Sequence, residues 1–485
     1  MKVLLIYPPI SLRERYSSEI GHAGGKQIPL GVYYLASSVR KAGHDVRVID
    51  GEALQMTAAD VGRKAVAYQP DIVGISSTTV AFHRALETAR EIKALMPGIP
   101  VVVGGPHVTA VGEEVFAHPE IDLAVYGEGE ETLTELLAAL STGGELSSVK
   151  GLGYRRDGIP AMNAPRPFIR NLDDIPLPAY DLLENFSLYN PPPTNYKRLP
   201  VANVVTSRGC PNQCTFCGHS VFGRTLRQRS PENIAAEIEI LYERHHVREI
   251  AFVDDTFTIN PERISTLFGI LNRKNIRFPW TCMSRVNTVD FETIRSMKDQ
   301  GCWHISFGIE SGSEEILRLI KKNISLAETR RVVGWCRQLG VRTKGFFIIG
   351  HPGETTETID MTIQTALAMP LDDVVATLNT PLPGTEQYRR AADYGTLEKG
   401  DWARFNMWNP VFVPAGLTEE VLTRKHKELY RRFYLRPRVM GRYALSFLSP
   451  AGLRRAMGVL RSMPFLFGGH QKSREERPWP LKDGH

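Results

Sequence analysis

Three cysteines lie close enough in the chain to act together. Cys210, Cys214 and Cys217 have the spacing C-x3-C-x2-C, inside Ser207-Arg208-Gly209-Cys210-Pro211-Asn212-Gln213-Cys214-Thr215-Phe216-Cys217-Gly218. Crowded thiols in a large chain point to metal and not to disulfides. A four-iron, four-sulfur cluster normally takes four thiolates; three would leave one iron open to an outside ligand. Zinc is the other reading, with His219 as fourth ligand. Gly209, Pro211 and Gly218 make this a tight loop, which disfavours three unrelated core thiols. Cys282, Cys302 and Cys336 read as small core residues. Cys282 stands nearest a basic candidate, Arg285.

The loop follows an apolar run, Val201–Thr206, and so sits at the carboxyl end of a strand. Five more runs succeed it: Ile250–Val253, Trp280–Met283, His304–Ile309, Lys344–Ile349 and Val374–Leu378, with helix-length segments between them. Six strand–helix units predict a partial (β/α)6 barrel of the TIM type. Ahead of it, Val3–Tyr7, Asp45–Ile49, Ile72–Ser76, Val101–Gly104 and Leu123–Tyr126 alternate with amphipathic segments, predicting a doubly wound parallel sheet. The fold class is α/β. The expected division is a first domain at 1–140, a proline-rich linker at 141–195 with a hairpin near Tyr154–Pro160, the barrel at 196–415 and a helical, basic region at 416–485.

The 485 residues are 42% hydrophobic and 23% charged, which excludes a disordered or fibrous chain. The Met-Lys start leads straight into a strand, so no signal peptide is read, and no apolar run reaches spanning length. The expected location is the cytoplasm. Net charge is +6, but from Arg424 onward basic residues outnumber acidic ones 15 to 4. Arg431, Arg432, Arg436, Arg438 and Arg442 mix there with Phe433, Tyr434 and Leu435; Arg454, Arg455 and Arg461 follow among Leu453, Leu460 and Phe465. Such a tail either touches the inner face of a membrane or packs on the barrel.

With Phe216 just before its last cysteine, the cysteine loop resembles the signature of the radical S-adenosylmethionine (SAM) enzymes. The resemblance implies that Cys210, Cys214 and Cys217 hold a [4Fe-4S] cluster whose open iron is chelated by the amine and carboxylate of SAM. Reductive cleavage then yields a 5′-deoxyadenosyl radical that abstracts hydrogen from an unactivated C–H bond. At the other strand ends it implies cofactor contacts. Asp254-Asp255-Thr256 stands where the superfamily often has Gly-Gly-Glu near the methionyl amine, and the departure leaves residue roles there open. Arg285 suits the SAM carboxylate, with a surface ion pair as the alternative. Glu310 suits ribose hydroxyls or the amine, beside Ser311, and Gly350 would allow backbone approach to adenine. His351 reads as neither ligand nor base.

In the first domain the strand-end loops are small and polar. They are Ser76-Ser77-Thr78, Gly104-Gly105-Pro106-His107 and Gly127-Glu128-Gly129-Glu130-Glu131. No G-x-G-x-x-G follows the first strand, which lowers a nicotinamide or flavin reading. With Pro29-Leu30-Gly31 these loops resemble the Rossmann-like cobalamin (B12-binding) domain found ahead of some radical SAM barrels, a family that includes methyltransferases and the anaerobic cyclase of chlorophyll precursors. The resemblance covers residues 1–415 and implies cobalamin against Ser76, Ser77, Thr78, Gly104, Gly105, His107, Gly127, Glu128 and Gly129. No Asp-x-His-x-x-Gly occurs, so no protein histidine is expected on the cobalt. A degenerate domain without cofactor is the alternative. The expected activity is methyl transfer to an unactivated carbon, with radical cyclisation or rearrangement as the alternative and a non-enzymatic zinc protein as a remote one. The expected partners are a small-molecule or lipid-like substrate and an electron donor such as flavodoxin or ferredoxin; nucleic acid is not expected.

Overall fold

The computed structural model describes residues 1–17, 20–21 and 24–446, with side chains to residue 441. Lys2–Tyr7 (β1) is buried from Val3 to Tyr7, as a strand covered on both faces must be. Asp45–Asp50 (β2), Ile72–Ser76 (β3), Val101–Gly104 (β4) and Leu123–Val125 (β5) join it in the order β2-β1-β3-β4-β5, all parallel. Alternate residues of β1 feed two cores. Val3 and Leu5 pack with Val32, Ala36 and Val39 of helix Leu30–Lys41. Leu4 and Ile6 pack on the opposite face with Val61 and Ala65 of Ala58–Tyr68 and Ala89 and Ile92 of Phe82–Leu95. Strand order reverses at β1 and β3, which opens a crevice at their carboxyl ends.

The expected hairpin is present as Leu152–Arg156 (β6) and Ile159–Met162 (β7). It adds antiparallel strands to β5, so the first sheet has seven strands. Part of the 141–195 segment is thus sheet edge, and Pro160 on the outermost strand discourages further pairing.

The second sheet has six parallel strands in sequential order: Val201–Val204 (β8), Glu249–Phe252 (β11), Trp280–Ser284 (β12), Cys302–Glu310 (β13), Arg342–Ile349 (β14) and Asp373–Leu378 (β15). This is the order of a partial barrel. Between β8 and β11 lies a separate antiparallel ribbon, Ser207–Arg208 (β9) and Arg227–Gln228 (β10). Ser230, Asn260, Asp290, Ser325 and Thr355 cap the helices that follow the strand ends, each accepting a backbone N–H three residues on. These caps fix the ends of the loops that carry the chemistry.

The last long helix, Glu419–Tyr434, buries Leu422, Leu429 and Phe433 against the barrel. His426 Nε2 and Tyr430 OH donate to the Ala376 carbonyl of β15 at 2.8 and 2.9 Å. This part of the basic region therefore covers an edge strand. Arg454, Arg455, Arg461 and their apolar neighbours lie outside the described residues. Among the described residues no helix is long and apolar enough to cross a membrane.

Further contacts join the two halves of the molecule. Asn203 of β8 accepts from Ile28 N at 3.1 Å and donates to Ile28 O at 3.0 Å, fully buried. Trp402, beyond β15, packs edge-on to His107, with ring centroids 5.0 Å apart.

Candidate active site

The cysteine loop leaves the ribbon at Gly209, whose φ is +83° and where a Cβ would overlap the Thr225 carbonyl oxygen. Only glycine meets both demands. Thr215 pins the middle of the loop: its N–H donates to Ile320 O at 3.0 Å, and its carbonyl accepts from Gln387 N at 3.0 Å. Cys210 and Cys214 are buried and Cys217 half-buried. Burial, then Asp255 and the other two thiols, push the Cys217 thiol up to about 12. It would ionise only against a strong electrophile such as iron. Among the described residues no three His, Cys, Asp or Glu side chains gather as ligands of one ion would. A cubane takes each thiolate on a different iron, so its ligands stand farther apart. Three free thiols on one tight loop are a donor set that fits a [4Fe-4S] cluster.

A cavity of about 180 Å³ opens on these thiols, walled by Phe216, Arg285, Glu310 and Lys322. Arg285 faces Cys214 Sγ at 3.5 Å through Nη1 and donates to the Lys322 carbonyl through Nη2. Glu310 sits at a bulge ending β13 with φ of +68°, a strained value for a side-chain-bearing residue. Its Oε1 accepts from Lys322 Nζ at 2.8 Å, both side chains buried. Lys322 carries no motif and was not foreseen. Its ammonium also stands 5.9 Å from the Phe216 ring centre.

Other expected contacts turn away. Asp254 is buried under the loop, accepting from Thr206 N at 3.0 Å and Thr206 Oγ1 at 2.8 Å and from Ser207 Oγ; it braces β8. Ser311 Oγ pairs with Thr362 Oγ1 at 3.2 Å, so it ties β13 to a helix. Gly350 faces Leu422. Its N–H donates to Glu354 Oε2 at 2.6 Å, while burial pushes the Glu354 carboxyl up to about 8. His351 is buried, its pKa lowered to about 3 by burial and then by Lys322, and neither ring nitrogen has a partner.

A second cavity of about 750 Å³ lies between the sheets. From the first sheet come Ser76, Thr78, Gly104, Gly105, Gly127, Glu128 and Gly129; from the barrel, Arg208, His219, Val221, Phe222 and Leu382. Gly105 has φ of +99°, and a Cβ there would stand 2.7 Å from Ser77 O. The backbone thus comes to the cavity wall bare, as a broad flat ligand needs. The buried Thr78 hydroxyl has no partner and is free for such a ligand. Both features fit cobalamin. Ser77 and His107 are not part of the wall. Ser77 is buried behind it. His107 packs against Phe82 with ring centroids 4.3 Å apart and the rings tilted by 43°, and burial lowers its pKa to about 3. Glu128 reaches the wall, but its carboxylate is taken by Arg208 and Arg227.

The two cavities share His219 and Asp255. His219 Nε2 is buried without a partner. Burial raises the Asp255 carboxyl, and His219 opposes that shift.

Comparison with known proteins agrees with this division. The B12 binding domain family matches residues 19–137 and the Radical SAM superfamily matches 204–366. An uncharacterized methyltransferase of Pyrococcus horikoshii is 38% identical over 91% of this chain and 94% of its own length. The chain belongs to the cobalamin-binding radical SAM enzymes. Another relative in this family, the anaerobic magnesium-protoporphyrin IX monomethyl ester cyclase of Cereibacter sphaeroides, is 30% identical over 86% of this chain and 69% of its own length. Two solved structures share the fold. The cobalamin-dependent radical SAM enzyme OxsB has a TM-score of 0.74 at 18% identity, covering 96% of this chain and 71% of its own. TsrM of Kitasatospora setae, a radical SAM methyltransferase with cobalamin and a [4Fe-4S] cluster bound, has a TM-score of 0.65 at 19% identity, covering 81% and 74%. By its membership of this family, with both a Radical SAM and a B12 binding domain, the chain uses a [4Fe-4S] cluster, SAM and cobalamin.

Proposed function

We propose that this enzyme methylates an unactivated carbon of a small substrate held where its two cavities meet. The observation that carries the reading is that His219 and Asp255 face both cavities at once. When bound, the cluster with SAM supplies a hydrogen-abstracting radical and cobalamin supplies a methyl group. The chain's own part is to hold, orient and shield. Cys210, Cys214 and Cys217 hold the cluster. Arg285, Glu310 and Lys322 frame the place beside it: Glu310 and Lys322 neutralise each other, and the Lys322 carbonyl holds the Arg285 guanidinium in place, so its positive charge stays oriented beside the site. Thr78 and the bare backbone at Gly104 and Gly105 would receive the corrin. His219 and Asp255 offer an unpaired nitrogen and a carboxylate to a polar group of the substrate, and Val221, Phe222 and Leu382 line the rest with apolar surface that excludes water.

That wall suits a lipid-like substrate, and a basic region beyond Tyr434 would bring the enzyme to an anionic membrane surface on the cytoplasmic side. An electron donor of the flavodoxin or ferredoxin type would reduce it. The cyclase relatives favour cyclisation as the second reading. Anaerobic incubation with methyl-labelled SAM and a panel of lipid and tetrapyrrole acceptors separates the two. Methyl transfer predicts label in the product, with S-adenosylhomocysteine and 5′-deoxyadenosine formed together. An unlabelled cyclised product with 5′-deoxyadenosine alone overturns it.

A further inference from the structure

Four charged side chains meet, buried, between the first sheet and the ribbon. Arg208 of β9 and Arg227 of β10 are directly opposite in register. Like charges facing across a ribbon repel. Here Glu128, from the loop after β5, enters between them. It accepts from Arg208 Nη1 at 2.8 Å and from Arg227 Nη1 at 2.8 and 2.9 Å. Glu130 accepts from Arg208 Nη2 at 2.5 Å. The set is neutral: two guanidinium groups, two carboxylates. All four side chains are under 10% exposed. Ile169 closes the set, its N–H donating to Glu128 Oε2 at 2.9 Å and its carbonyl accepting from Arg227 at 2.7 Å. Arg208 also lies over the rings of Tyr34 and Phe222, at 5.5 and 5.1 Å, which limits its rotamers.

A buried ion cluster adds little net stability over an apolar contact of the same size, but removing one member leaves an uncompensated charge. What the cluster provides is register. The Glu128 loop belongs to the wall of the larger cavity. Arg208 is two residues before Cys210, with only the pinned Gly209 between. A shift of one loop is handed to the other through the Glu128 and Arg208 side chains, which are buried and hydrogen-bonded to each other. We infer that Glu128, Arg208 and Arg227 are positioning residues that set the spacing between the cobalamin-bearing loop and the cluster-bearing loop. The ribbon holds its shape only while the first domain's carboxylate is inserted, so the cluster loop is completed by the other domain.

The inference rests on the methyl-transfer reading for one readout and is independent of it for the other. The test uses the full chain loaded with cluster and cobalamin, as wild type, Glu128→Gln and Arg227→Lys. Glu128→Gln keeps shape and one acceptor but removes the charge that separates the arginines. Amide hydrogen exchange at 207–217 and 227–228 is expected to quicken at least tenfold in Glu128→Gln, with outer helices such as Pro261–Arg273 unchanged. Under reducing conditions with SAM, the ratio of S-adenosylhomocysteine to 5′-deoxyadenosine is expected to fall several-fold, because only the first product needs both loops in register. Arg227→Lys, which retains the charge, is expected to move both readouts the same way by less, and it serves alone should Glu128→Gln not fold. Unchanged exchange in the ribbon overturns the inference. So does a uniform quickening with both products falling in step, which would mark ordinary destabilisation. A wild type that forms no S-adenosylhomocysteine would overturn methyl transfer, and ribbon exchange would then decide the inference by itself.

Discussion

The carboxyl ends of the two sheets face each other and are built on opposite plans. The first sheet presents bare backbone at glycines 104, 105, 127 and 129 and the Thr78 hydroxyl, and the charged side chains near them, such as Arg15, Glu52 and Glu128, are already paired. The barrel presents sulfur and charge: three thiols, Arg285, Glu310 and Lys322. A large ligand with its own functional groups needs a smooth seat that backbone can approach. A small reactive one needs a fixed electrostatic frame. The difference teaches that the two ends fail in different ways, and substitutions can expose this.

The largest effect is expected at the thiols. Cys214→Ala should reduce 5′-deoxyadenosine formation to background, measured by chromatography after anaerobic reconstitution, while cobalamin still elutes with the protein. Loss of both together would mean that the two ends are not separately built. Next comes the seat. Gly105→Val places branched carbon against Ser77 and forces an unfavourable φ. Cobalamin affinity should fall at least about tenfold, roughly 1.4 kcal/mol, by equilibrium dialysis, with cluster iron and sulfide unchanged. The smallest effect concerns stability alone. Burial raises the Glu354 carboxyl from 4.5 to about 8. A carboxyl raised on folding favours the native state below its unfolded value and loses that advantage as pH rises toward the folded one. Glu354→Gln should therefore flatten the decline in stability between about pH 4.5 and 8, read as the pH dependence of the denaturation midpoint, and leave SAM cleavage in place. An unchanged pH profile would mean that the carboxyl is not desolvated.

The architecture was legible because its signals are local. Five apolar runs with helical spacers match the five parallel strands of the first sheet, and the cysteine spacing marks the loop that lines the smaller cavity. Side-chain direction was less so. Ser76 and Ser77 are neighbours at the end of β3, yet the first lines the cavity and the second is buried behind it. Asp254 and Asp255 divide in the same way at the end of β11, the first bracing β8 and the second facing both cavities. Successive residues leaving a strand point to opposite sides, and a motif read as a block cannot say which is which. The resemblance places His107 against cobalamin, but Phe82 and a tryptophan nearly 300 residues away enclose it. Lys322 lies in no motif; it reaches Glu310 from twelve residues on, past the short helix Glu314–Leu319 of the same crossover. The partners of Glu128, 80 and 99 positions along the chain, left no local mark.

The Asn203 amide copies a peptide group and bonds to the main chain of residue 28, never to its side chain. Mutational drift should therefore press unequally on the two partners. Position 28 can change identity freely so long as it stays apolar and the chain keeps its path, whereas position 203 needs a side chain with both a donor and an acceptor at the right reach. Genes recombined between members of this lineage could exchange the leading segment without breaking this seam, provided the asparagine travels with the barrel.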